Sequence, residues 1–208
     1  MTAKISLKAL QEGNARFVTG KSIHPNADHD RLKLTAEKGQ HPFVTILSCS
    51  DSRAPLEIIF DQGVGDIFAV RVAGNVCGIN EIASIEYGVE HLATPLLVVL
   101  GHTQCGAVKA ATTGAKAHGN IAALMEKIRP AVKTAAKSHP DLKGDELVTF
   151  AIEANIWKSI ADLFIKSEII LESVQNGKCI ILGAIYDIST GKVNWLGKHS
   201  DECKLLKR

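Results

Sequence analysis

The stretch SCSDSRAP, residues 48–55, sets Cys49, Asp51 and Arg53 two positions apart at the end of an apolar run, and GHTQCG, residues 101–106, adds His102 and Cys105. In an extended chain a spacing of two aims side chains at one face, so the first three are expected together at the mouth of a strand. Two thiols and an imidazole make a zinc ligand set. Bonds of about 2.0–2.3 Å put the ligand atoms of one ion within about 4 Å of each other. Three protein ligands leave tetrahedral Zn²⁺ an open position, the mark of a catalytic site, whereas structural sites are filled with four. Asp51 would close that position if it bound the ion. Charge argues against this, because two thiolates already neutralise the dication and a carboxylate would displace the reactive water. Arg53 offers Asp51 two parallel hydrogen bonds instead, leaving the carboxylate free to orient the water that the ion acidifies. One Zn²⁺ per chain is the expected cofactor.

For these residues to meet, the strands that carry them must end side by side. PFVTILSC reads as a first strand, DIFAVRV as a second, LLVVLGH as a third and KCIILGAIYDI as a fourth; TGKVNWL forms a hairpin with the fourth. Between them the apolar spacing predicts helices over 5–18, 28–38, 79–92, 104–113, 119–135 and 145–173, with a helical turn near Pro55 to Phe60. Neighbouring strands lie about 4.8 Å apart, so a shared metal requires strands one and three to be adjacent, with strand two on the far side of strand one. The expected fold is therefore α/β, a mostly parallel central sheet of order 2-1-3-4 with an antiparallel edge strand, flanked by helices. Ligand sites in such sheets lie beyond the carboxyl ends of strands where the order reverses, which is where Cys49 and His102 fall. Cys105 is expected at the start of a helix, where the dipole favours a thiolate.

The 208 residues suit one domain, 1–208, including an N-terminal helical arm over 1–38. A net charge of +2 without a basic block argues against nucleic acid as a partner. The longest apolar runs, PLLVVL and CIILGAI, fall short of the ~20 residues that cross a bilayer, and the N-terminal MTAKISLKALQEGNARF has no apolar signal core, so a cytoplasmic location is expected. Five cysteines, an odd number, favour metal or catalytic use over a disulfide framework; Cys77, Cys179 and Cys203 read as structural or surface thiols. GVGD at 63–66 precedes a strand and does not open a helix, so it is not read as a dinucleotide site.

CSDSR with GHTQCG resembles the β-class carbonic anhydrases, and the likeness extends to LQEGNARFVTG, GDIFAVRVAGN, ASIEYGVEHL and GAIYDISTGKVNWL. The resemblance implies zinc on Cys49, His102 and Cys105, an Asp51 and Arg53 dyad, and reversible hydration of CO₂ to bicarbonate and a proton. It also implies a homodimer or dimer of dimers in which the first helix packs on the partner subunit. It puts Gln40, Phe68, Ala73 and Tyr87 at substrate-binding positions, Tyr87 reaching in from the neighbouring subunit. The family branch with a bicarbonate-controlled closed state carries Trp three positions before the first zinc cysteine; Ile46 stands there, which implies Asp51 off the metal near neutral pH. Hydrolysis of carbonyl sulfide or carbon disulfide on the same scaffold, and a non-catalytic zinc-binding regulator, are the alternative functions.

Overall fold

The computed structural model describes residues 1–207. Helices α1 (Ala3–Val18) and α2 (His29–Lys38) precede β1 (Val44–Ser48), α3 (Leu56–Ile59) and β2 (Ile67–Arg71). Next come α4 (Ile79–Glu86), β3 (Leu96–His102), α5 (Gly106–Thr113), α6 (Asn120–Ser138), α7 (Gly144–Lys166) and α8 (Glu168–Gln175). The chain closes with β4 (Ile180–Tyr186), β5 (Val193–Gly197) and α9 (Glu202–Leu205). The sheet order is β2-β1-β3-β4-β5, parallel except for β5. Every residue of β1 and β3 is buried, as a parallel sheet covered on both faces requires. Alternation divides the core: Leu97 and Val99 face the layer holding α4 to α8, whereas Leu96, Val98 and Leu100 face α1 and α3.

β1 and β3 pair with Ser48 opposite Leu100, while β2 lies on the other side of β1. The sheet order reverses at this point, as expected. β1 therefore ends one residue before Cys49, and β3 ends on His102.

Helix α1 rests on its own chain. Leu10 is fully buried, Ser6 Oγ donates to the Phe43 carbonyl at 2.9 Å, and Asn14 Nδ2 donates to the Ile59 carbonyl at 2.9 Å. Gly13 permits the approach, since a Cβ there would lie 1.7 Å from the Phe60 carbonyl oxygen. The stripe that includes Ile5 and Val18 stays exposed.

Three local expectations change. The helix expected over 145–173 breaks at Ser167, which is extended (φ −128°, ψ 109°), caps α8 by accepting from the Ile170 N–H and donates to Glu86. The helix expected over 79–92 widens into a π turn at Tyr87–His91, because the Gly88 carbonyl takes both the N–H and the hydroxyl of Thr94. Beyond Ser48 the chain is no longer extended, so Cys49, Asp51 and Arg53 are gathered by a turn and not by strand alternation. No helix among the described residues is long and apolar enough to cross a membrane.

Candidate active site

Cys49 follows β1, His102 closes β3, and Cys105 is the N-cap of α5. Their ligand atoms all lie within 4.8 Å of one another, and all three residues are buried. The loop from His102 to Cys105 is tied to the neighbouring strand: Thr103 N donates to the Tyr186 carbonyl at 2.9 Å, and Ile188 N donates to Thr103 Oγ1 at 3.1 Å.

The histidine supplies the test of whether these residues suit a metal. His102 Nδ1 lies 2.8 Å from the Thr103 carbonyl oxygen, so that nitrogen carries the proton. Nε2 is buried and has no hydrogen-bond partner. A buried lone pair left unmatched within reach of two sulfurs is expensive for a protein alone, and it is what a metal site uses: the second ring nitrogen anchored on a carbonyl, the first free to bind. The sulfurs agree with this. The adjacent Cys105 side chain lowers the Cys49 thiol, with His102 and the Gly74 N–H adding to the effect against burial. The same contact, together with burial, raises Cys105. Two sulfurs and an imidazole gathered in this way are a donor set suited to Zn²⁺.

Asp51 lies at the edge of this cluster. Arg53 holds it through its side chain, and the turn geometry adds the Arg53 main-chain N–H at 2.9 Å from Oδ1. The Arg53 guanidinium is the main cause that keeps the Asp51 carboxyl well below the usual carboxylate range. Asp51 Oδ2 remains 3.8 Å from His102 Nε2, so the carboxylate faces the cluster while its guanidinium partner restrains it. Arg71, at the end of β2, fixes the loop from outside: Nε donates to the Cys49 carbonyl at 3.1 Å and Nη2 to the Asp51 carbonyl at 2.7 Å. The sequence reading missed Arg71. Its signal was present in the outward position of the last residue of AVR, which parallel pairing with Ser48 aims toward the chain beyond β1.

The residues expected to line a substrate cleft divide into two groups. Ala73 lies next to Gly74, whose N–H donates to Cys49 Sγ at 3.3 Å, so it borders the cluster. Phe68 pairs in register with Thr45, three positions short of the end of β2, or about 10 Å from it at ~3.3 Å per residue. Tyr87 stacks near Phe68, with ring centroids 5.9 Å apart, and is 48% exposed. Gln40 sits in an exposed loop between α2 and β1. Among the described residues, neither Tyr87 nor Gln40 hydrogen-bonds to Cys49, Asp51, His102 or Cys105. Of the other cysteines, Cys77 and Cys179 are buried, burial pushing each up to about 12, while Cys203 is exposed.

Fold and site together suit an α/β metalloenzyme: Cys49, His102 and Cys105 could hold a metal ion at the topological switch point, with the Asp51 carboxylate restrained beside them. Comparison with known proteins narrows this. A family model described as carbonic anhydrase matches residues 44–193. Carbonic anhydrase 2 of Mycobacterium tuberculosis is 40% identical over 190 residues, covering 89% of this chain and 88% of that relative. The carbonic anhydrase of Synechococcus elongatus is 31% identical over 213 residues, covering 95% and 76%. Among solved structures, the β-carbonic anhydrase CafA of Aspergillus fumigatus superposes with a TM-score of 0.77 at 30% identity, covering 98% of this chain and 94% of that one. The chain belongs to the β-class carbonic anhydrase family. It is a zinc enzyme that catalyses the reversible hydration of CO₂ to bicarbonate and a proton.

Proposed function

We propose that Cys49, His102 and Cys105 hold the zinc of this carbonic anhydrase and that Asp51, restrained by Arg53, orients the attacking water. The observation that carries this is the unpartnered, buried Nε2 of His102 within 4.8 Å of two cysteine sulfurs. Zinc bound there supplies a Lewis acid that makes water acidic enough to attack CO₂ near neutral pH. Asp51 Oδ2, the carboxylate oxygen that faces the cluster, would accept a hydrogen bond from the attacking water and so orient it. Arg53 keeps Asp51 ionised and turned aside, so that the carboxylate does not occupy the ligand position the water needs. Ala73 forms part of the dry wall on the same chain. CO₂ is small, linear and without a net dipole, so apolar walls and one donor suffice to bind it.

Phe68 lies three residues short of the end of β2 and Tyr87 beside it is half-exposed, which supports their lining the site of a second copy, with Gln40 as the hydrogen-bonding donor. β2 is also an open sheet edge, and such edges are normally paired or covered. A homodimer is therefore the smallest complete unit, and a dimer of dimers is the larger alternative; the related β-carbonic anhydrases of Sordaria macrospora are described as tetrameric. Residues 1–208 form one domain on this reading, with the 1–38 arm seated on its own sheet. The five unpaired cysteines support a reducing, cytoplasmic setting.

The test is zinc content together with stopped-flow CO₂ hydration. About one zinc per chain is expected, with loss of metal in Cys105→Ala and loss of turnover with metal retained in Asp51→Asn. Unchanged turnover in either variant would remove the mechanism.

A further inference from the structure

Cys49 is bonded by a short 3₁₀ turn, Ala73–Asn75, that lies between β2 and α4. The Gly74 N–H that donates to Cys49 Sγ lies in a turn that is left-handed at both Gly74 (φ 70°) and Asn75 (φ 42°). Only glycine fits at 74, since a Cβ would lie 2.7 Å from Ile128 Cδ1 and 3.3 Å from Ala107 Cβ. Glycine is also the residue whose peptide planes turn most freely, so the direction of this N–H needs an anchor. The anchor comes from α7. Asn155 Nδ2 donates to the Gly74 carbonyl at 2.7 Å, and Ser159 Oγ donates to the Asn75 carbonyl at 3.0 Å. Both residues are 1% exposed, and they sit one helical turn apart in a stripe otherwise made of Ala151, Ile152, Ile156, Ile160 and Leu163.

Stability alone does not account for the pair. Asn155 Oδ1 and Asn75 Nδ2 are both buried without partners, a state that an apolar stripe of the same shape would avoid. Buried polar groups retained in this way need another reason, and here the reason lies next to the metal ligands.

We propose that Asn155 and Ser159 are positioning residues for the zinc chemistry: by fixing the 74–75 turn they aim the Gly74 N–H at Cys49 Sγ. A hydrogen bond to a ligating thiolate withdraws charge from the sulfur and leaves the metal a stronger Lewis acid. A site with two thiolates has the greater need of this, because thiolates donate more charge than the imidazoles of a three-histidine site. The inference rests on Cys49 being a metal ligand.

The experiment uses the full chain with Co²⁺ in place of Zn²⁺ and reads the thiolate-to-cobalt charge-transfer band in the near ultraviolet, with thermal unfolding measured alongside. Weakening the N–H···S bond makes the sulfur easier to oxidise, so the band should move to longer wavelength in Asn155→Leu and Ser159→Ala, and Ser159→Thr should restore it. A band that stays in place while the melting temperature falls would reduce the pair to a structural role and overturn the proposal. If Asn155→Leu does not fold, Ser159→Ala decides alone by the same criterion. Absence of any such band in the unmodified protein would overturn the ligand assignment and the inference with it.

Discussion

Arg53 holds Asp51 at both carboxylate oxygens, Nε reaching Oδ1 at 2.9 Å and Nη2 reaching Oδ2 at 2.8 Å. The two-point contact fixes the plane of the carboxylate as well as its charge. A single ammonium cannot do both.

Arg53→Lys is therefore expected to behave more like Arg53→Ala than like the unmodified enzyme, with zinc content retained and kcat reduced by on the order of 10²-fold, the scale of a misplaced proton acceptor. In crystals of the zinc-loaded protein at pH 7 to 8, Asp51 should stay on Arg53 in the native chain and swing toward the metal in the alanine variant. An Asp51 oxygen at about 2.0–2.2 Å from zinc in the native chain would contradict the open site.

Replacing the imidazole tests the ligand set directly. His102→Ala should release zinc and abolish hydration. Thr103 touches the ring through its main-chain carbonyl and ties the loop to Ile188 through its hydroxyl, so Thr103→Val should lower the melting temperature while leaving metal content near that of the native protein. Equal zinc content in His102→Ala and the native chain, measured by atomic absorption, would show that the metal sits elsewhere.

Acid should destabilise the fold partly through Asp61. Burial alone would raise this carboxyl, but Arg16 and the main-chain N–H groups of Ile23 and His24 outweigh burial and hold it below its ordinary value. A depressed value in the folded state gives a contribution that is present above the unfolded value of about 3.9 and disappears as pH falls through the folded one. Melting temperature should be level down to about pH 5 and fall below about pH 4. Asp61→Asn should lose about 1–3 kcal/mol at neutral pH and show a shallower acid fall. Asparagine tolerates the left-handed backbone at this position, so backbone strain does not confound the comparison. Parallel acid limbs for the two proteins would refute the assignment.

The edge of β2 should decide assembly. Ala69 is exposed in the middle of that strand, and a lysine there places a charge on an edge that association must cover. Ala69→Lys is expected to shift sedimentation toward the single chain and to lose activity with zinc retained. Tyr87→Ala should keep the assembly and raise KM more than it lowers kcat. If the dissociated variant remained fully active, each chain would be a complete enzyme, and Phe68, Tyr87 and Gln40 would have no part in the partner's site.

Much of the site was legible because its donors are rare residue types at short spacings. Cys49 and the H-x-x-C pair announce a metal, and the requirement that their atoms meet within a few ångströms dictates the β2-β1-β3 order before any coordinates are seen. The Asp51 and Arg53 pairing was anticipated for a partly wrong reason. Strand alternation was expected to align them, whereas a turn after Ser48 brings the Arg53 N–H and guanidinium onto the same carboxylate. The break at Ser167 and the π turn at Tyr87–His91 were not legible, because apolar periodicity runs straight through both; they go with the Ser167 bond to Glu86 and the Thr94 hydroxyl on the Gly88 carbonyl. Asn155 and Ser159 were invisible for the same reason, since a polar residue within a helical stripe says nothing about what it will touch.

The amino-acid sequence by itself determined the elements, their order and the ligand chemistry, because hydrophobic periodicity and the donor properties of cysteine, histidine and carboxylate are local facts. Tertiary structure alone decided which nitrogen of His102 is free, where Asp51 is held and which carbonyls α7 anchors. Those outcomes depend on contacts between residues far apart in the chain, and no local pattern encodes the direction in which a buried hydrogen bond will point.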